Sequence, residues 1–491
     1  MSDPGGPSLY QINTRVWLSE ISAQLGRPAT LDDAPDAELD RMAAQGFRWV
    51  WLLGVWQTGP NARVAALAEP PLQDEYRRAL PDFKDRDVCG SCFAVAGYTT
   101  HSALGGDDAL ARLRERLRGR GLRLMVDFVP NHTGIDHPWA RERPGLYVHG
   151  TEEDLARDPG NYCRVETPGG PAILAHGRDP YFAGWRDTVQ LNYANPELQE
   201  AMISELLRIA GRADGVRCDM AMLVLPEVFE RTWGLRPPAF WPAAIGRVRQ
   251  RRPGFLFLAE VYWDLEWTLQ REGFDYTYDK RLYDRLRDGQ ARAVRDHFRA
   301  EAGFQRSSAR FLENHDEPRA AAAFPPDMHR AAAVLAFLCP GLRFFQRGQF
   351  EGRKVRIPVQ LCRGPEEPVD RQIQDFYDRL LECLRNPALC DGEWKLLECA
   401  PAWEGNWTWD CFIVFAWQGA DGRRLLIAVN YSPHRSQCSV PLPFEELRGR
   451  AARLEDVMSP DAYDRQGDDL LGRGLYLDEG PWGYRVFQLR V

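Results

Sequence analysis

Leu122-Arg123-Leu124-Met125-Val126-Asp127-Phe128-Val129-Pro130-Asn131-His132 decides how the rest of this 491-residue chain is read. The run is apolar on both faces almost to its end, the pattern of a parallel strand covered on each side. Pro130 stops it. Asp127 sits at its close, where a carboxylate is costly to bury without a partner or a task.

Three more segments repeat the design downstream. Gly215-Val216-Arg217-Cys218-Asp219 ends in an acid, Ala259-Glu260-Val261 follows the apolar Phe255–Leu258, and Phe311-Leu312-Glu313-Asn314-His315-Asp316 closes a fourth run. Further strands are predicted at Leu9–Leu18, Phe47–Trp56, Gly273–Tyr278 and Gly341–Gln346. Amphipathic stretches at Asp107–Arg118, Asn195–Ala210 and Asp370–Arg385 alternate with them, the first two with good helix starts.

Eight strands alternating with helices predict a (β/α)8 barrel. An open doubly wound sheet would announce a Gly-rich phosphate loop, and none is visible. The barrel is expected over residues 1–400. It includes a long insertion after the third strand at 133–188, rich in Gly, Pro, Asp and Arg, of the kind that lines or covers a site. Short strands at Trp407–Trp417, Arg424–Tyr431, Gln437–Leu442 and Tyr484–Val491 predict an all-β sandwich over 401–491.

A hydrophobic fraction of 44% supports a real core. A net charge of -8 speaks against nucleic-acid binding. The opening Met-Ser-Asp-Pro-Gly-Gly-Pro lacks the marks of a secretory leader, and no run is long enough to span a membrane. Eleven cysteines, an odd number, fit reduced thiols and a cytoplasmic protein. The sequons at Asn131, Asn406 and Asn430 are then without meaning.

In such a barrel, residues at the C-terminal strand ends converge on the active site. Asp219 lies two residues after Arg217, on the same face of a strand. The guanidinium is expected to hold Asp219 ionised, as a nucleophile requires. Glu260, in an apolar setting beside an anion, is expected to keep its proton and act as an acid. His315 and Asp316 would grip sugar hydroxyls across the barrel.

The four segments resemble the signatures of the α-amylase family (glycoside hydrolase 13), in order and on strands three, four, five and seven. The resemblance implies a retaining α-glycosidase for maltodextrins, glycogen-type oligosaccharides or small α-glucosides. Asp219 would be its nucleophile, Glu260 its acid/base and Asp316 its transition-state stabiliser. Arg217 would orient Asp219, His132 and His315 would bind the sugar, and Asp127 would be a supporting carboxylate. A transglycosylase with the same triad is the alternative; a non-catalytic sugar-binding protein would normally have lost one of the carboxylates.

The chain also departs from the pattern. Met222 and Leu223 stand where family members often carry Lys-His on the acceptor side. Gln190 stands where calcium-binding members have an acidic residue, and a neutral amide is a poorer partner for a hard cation. No calcium or other cofactor is expected. The aromatic residue that the family stacks under the reacting sugar aligns with Cys92, which leaves three alternatives: Phe93 replaces it, Tyr98 replaces it, or the stacking is lost. Cys89-Gly90-Ser91-Cys92 is more readily a loop than a metal or redox site. The tryptophans between Trp403 and Trp417 read as core rather than as a starch platform.

Overall fold

The computed structural model describes residues 6–491. Met1–Gly5, part of the opening read above for a leader, lies outside the described residues.

Eight parallel strands close into a barrel: β1 (Ser8–Asn13), β2 (Trp49–Leu53), β3 (Arg123–Phe128), β4 (Gly215–Cys218), β5 (Leu256–Ala259), β6 (Tyr276–Tyr278), β7 (Ser308–Arg310) and β8 (Leu342–Gln346). Each pairs with its neighbours in sequence, and β1 closes the ring against β8, with Tyr10 opposite Phe345. Helices lie between the strands and cover the outside. The β3–β4 register sets Asp127 opposite Arg217, so the first two acidic segments meet through pairing alone.

The first strand is shorter than the predicted Leu9–Leu18. Helix α1 (Thr14–Leu25) begins directly after it, because the Asn13 side chain accepts a hydrogen bond from the Val16 N–H and caps the helix. β6 is also shorter than the predicted Gly273–Tyr278, and Phe311–Asp316 runs on after β7 as loop. Gly54 follows β2 with φ 79, a left-handed conformation that suits glycine. A Cβ there would stand 2.7 Å from the Cβ of Cys92.

The insertion has its own frame. His132–Gly134 pairs antiparallel with Thr188–Gln190 at its base, and Tyr162–Val165 forms a hairpin with Ala172–Ala175. Two short helices, Pro138–Glu142 and Glu152–Arg157, complete it.

The C-terminal region forms a six-stranded antiparallel sheet facing a two-stranded one. Its strands are β9 (Glu393–Leu397), β10 (Phe412–Gln418), β11 (Arg424–Asn430), β12 (Ser436–Val440), β13 (Ala451–Asp456), β14 (Ala462–Gln466), β15 (Leu475–Glu479) and β16 (Tyr484–Arg490). The large sheet runs β9-β10-β11-β16-β13-β14, and β12 pairs with β15. Its edge strand β9 precedes residue 401, so the sheet starts earlier than the predicted boundary. The start of Trp407–Trp417 is a turn of 3-10 helix at Thr408–Cys411 rather than strand.

One face of the large sheet, with Val414, Ala428 and Phe487, packs on Cys438 and Leu477. The other, with Ile413, Phe415 and Ile427, joins the core of the barrel. Trp417 donates its indole N–H to the Leu338 carbonyl at 2.7 Å, and Tyr431 its hydroxyl to that of Leu286 at 2.6 Å.

Candidate active site

Arg217 is the hub of the site. It points inward from β4 and is fully buried. Its Nη1 donates to Asp219 Oδ1 at 2.7 Å, and its Nη2 lies 2.8 Å from Glu260 Oε2. One guanidinium thus bridges the acids at the ends of β4 and β5. Trp51, Phe93 and Tyr278 surround it, at 5.3, 5.3 and 5.6 Å from its central carbon to the ring centres. A cation so enclosed gains from the ring faces while the two carboxylates offset its burial.

Glu260 has two distinct oxygens. Oε2 accepts from the Met220 N–H at 2.6 Å and faces Arg217. Among the described residues, Oε1 accepts only from the Tyr262 hydroxyl, at 2.9 Å. Burial pushes Glu260 up to about 7; Arg217 opposes the shift, and the charges of Asp219 and Asp316 add to it. Burial also raises Asp219 above the usual carboxylate range, against the pull of Arg217. Arg217 opposes that shift through its charge and its hydrogen bond, but it is divided between two buried acids and does not cancel the desolvation.

Met220, directly after Asp219, has φ 40. Only four non-glycine residues among those described have positive φ, and three of them, Met220, Trp263 and Asp264, lie within a few residues of these acids. Backbone strain of this kind collects at functional sites. At Met220 it aims the N–H at Glu260.

Across the barrel, Asp316 is the accessible acid, with 43% of its side chain exposed. Burial of its surroundings acts to raise it, but His315 and then Arg217 outweigh this and hold it at about 2. His315 Nε2 lies 3.0 Å from Asp316 Oδ2, while its Nδ1 accepts from the Gln11 amide at 2.8 Å. That bond favours the tautomer with the proton on Nε2, facing the acid. Glu313, in the same segment, turns away to Arg319 and the Ala320 N–H.

His132 is buried beside Trp185, with ring centres 5.1 Å apart. Burial lowers it to about 4, so it is a neutral hydrogen-bonding group near pH 7. Asp127 accepts from the Trp51 indole at 3.0 Å and the Gly54 N–H at 2.7 Å, which makes it a brace between β2 and β3.

Of the two aromatic candidates, Phe93 faces the site, against Arg217 and 5.6 Å from the His315 ring. Tyr98 does not. It is buried against Trp56 and Phe128, and its hydroxyl bonds the Val129 backbone at 3.0 Å, so it is a packing residue. Met222 and Leu223 are buried in the core. Cys89 accepts from Arg15 at 3.1 Å, while Cys92 packs on Gly54. Among the described residues, no group of three or more His, Cys, Asp or Glu side chains is placed to hold a metal ion.

Sequence reasoning missed Gln11, Trp51, Tyr262 and Tyr278. Tyr262 carried a signal, two residues beyond Glu260, and Tyr278 ends a barrel strand as the acids do. Nothing marked Gln11 or Trp51 as site residues, because their partners His315 and Asp127 lie far away in the chain.

The chain matches no protein-family model. It is 27% identical over 356 residues to the α-amylase MalA of Haloarcula japonica, covering 71% of this chain and 44% of that protein. It is 26% identical over 276 residues to the α-1,4-glucan:maltose-1-phosphate maltosyltransferase of Burkholderia pseudomallei, covering 54% of this chain and 20% of that one. The chain therefore spans less than half the length of either relative. The crystal structure of a maltogenic α-amylase, AmyB, from Thermotoga neapolitana superposes with a TM-score of 0.69 at 18% identity, covering 99% of both chains. These likenesses, like the four acidic segments on strands three, four, five and seven, are to the α-amylase family.

Proposed function

We propose that this protein is a retaining glycoside hydrolase acting on α-glucosidic bonds of maltodextrin or glycogen-type oligosaccharides, or of small α-glucosides. The observation that carries this reading is the single guanidinium of Arg217 bridging Asp219 and Glu260. It holds the two acids close together. Retaining enzymes place theirs about 5 Å apart, whereas inverting enzymes need room for a water between them.

In the proposed reaction, Asp219 attacks the anomeric carbon while Glu260 gives its proton to the departing oxygen. A β-glycosyl ester on Asp219 results. Glu260, now a base, takes a proton from water, which attacks the ester and restores Asp219. Asp316, ionised and partly exposed, stabilises the developing positive charge and holds sugar hydroxyls with His315. His132 and Phe93 contact the sugar in the reacting position.

Replacing Asp219 with Asn is expected to abolish turnover by several orders of magnitude with an unchanged circular dichroism spectrum. Activity close to wild type would sink the mechanism. NMR of the first product should show the α-anomer, and a β-anomer would rule out the covalent intermediate.

Transfer to a second sugar or to phosphate through the same ester is the alternative, and the similarity to a maltosyltransferase supports it. The two readings separate on products. Incubation with maltooligosaccharides, with and without phosphate, gives glucose or maltose if water is the acceptor. Longer chains or a phosphorylated sugar indicate transfer. We place the enzyme in the cytoplasm, a reading supported by eleven cysteines that are all free. No described helix is long and apolar enough to cross a membrane.

A further inference from the structure

Gln190 closes the ladder at the base of the insertion, opposite His132. It is completely buried. Its Nε2 lies 2.9 Å from the Asn131 carbonyl, 3.0 Å from Asn131 Oδ1 and 3.1 Å from the Leu191 carbonyl. An amide nitrogen carries two hydrogens, so three oxygens converge on one donor group. Among the described residues, its own Oε1 is buried without a hydrogen-bond partner. Reversing the amide would aim a fourth oxygen at these three, so the nitrogen must point inward.

Convergent carbonyl oxygens are the donors a hard cation takes, six to eight around calcium. Calcium is the ion that the calcium-binding members of the family this chain resembles hold with an acidic residue at this position. The set here does not fit it, because the centre is filled by N–H groups and position 190 supplies no negative charge. We propose that the Gln190 amide nitrogen replaces a structural cation, clamping the oxygens of Asn131 and Leu191 so that the insertion, with His132, is fixed to β3 without metal. Asn131 continues the clamp: its amide lies 3.4 Å from His132 Nδ1.

The inference rests on the fold and not on the reaction, so thermal unfolding of the full chain tests it. Wild type should unfold at the same temperature in calcium and in a chelator. Gln190→Glu keeps the shape but sets a carboxylate among the three carbonyl oxygens. It should unfold several degrees lower in chelator and recover on adding calcium chloride. Gln190→Met, which keeps the bulk and loses the N–H groups, should be destabilised in both conditions alike. A wild-type midpoint that rises with calcium would overturn the proposal. So would a Gln190→Glu variant that is indifferent to calcium, or one that no calcium concentration restores.

Discussion

The proton that drives the proposed reaction has one place to sit. Oε2 of Glu260 is held by Arg217 and the Met220 N–H, which leaves Oε1, beside the Tyr262 hydroxyl, to carry it. Glu260 is useful as an acid only while protonated, and its pKa is about 7. Activity should therefore fall as pH rises through about 7, and the opposite limb should follow the ionisation of Asp219 at lower pH. Glu260→Gln should remove the alkaline limb along with most of the rate, and kcat/KM against pH measures both. Tyr262 stabilises the anion by donating to it, so Tyr262→Phe should move that limb to higher pH. An unmoved limb would leave Tyr262 a packing residue. At this scale the sequence revealed the acids, because each closes an apolar run. It did not reveal how Arg217 is shared between two of them, which depends on β4 and β5 lying side by side, nor that Tyr98 turns to the Val129 backbone and leaves Phe93 at the site.

Strand boundaries follow local chemistry that hydropathy reads poorly. Leu9–Leu18 looks like one strand, yet Asn13 converts its second half into helix. β9, β13, β14 and β15 escaped notice because their alternation is broken by charged residues such as Arg453 and Asp464. The four tryptophans read as core split in the structure: Trp417 is buried and Trp409 partly so, but Trp403 is 52% exposed and Trp407 71%. Two elements carry sharp tests. Gly341 enters β8 with φ 122, and a Cβ there would lie 2.2 Å from the Ser308 carbonyl. Gly341→Ala should cost at least about 2 kcal/mol in urea unfolding, from strain and the opening of the β7–β8 seam. Asp370 caps the helix Arg371–Cys383 by accepting from the Gln372 and Ile373 N–H groups. Asp370→Ala should cost only about 1 kcal/mol, which makes it a calibrating control.

The barrel and the C-terminal sheet share one continuous core, with Phe298 packed on Phe415 and Trp394. A single calorimetric transition is expected on heating, and two resolved peaks would show that the parts unfold independently. A chain ended before β9 should be insoluble, because the barrel face that receives Phe415 and Trp417 would meet water. Alternation of strand and helix made the barrel legible from the sequence. The joining of the two parts was not legible, since it relies on contacts between residues far apart in the chain.

The ring of strands also has a history in time. β1 is made first, but one of its two neighbours, β8, is among the last parts of the barrel to leave the ribosome, and Gln11 must wait for Gln346. At about 5–20 residues per second, that delay is on the order of tens of seconds. Throughout it the nascent sheet has an open edge and an uncovered apolar face. The yield of active protein in a cell should therefore depend on what shelters that edge during synthesis, and slower translation at low temperature or extra chaperone should raise it more than any change at the site.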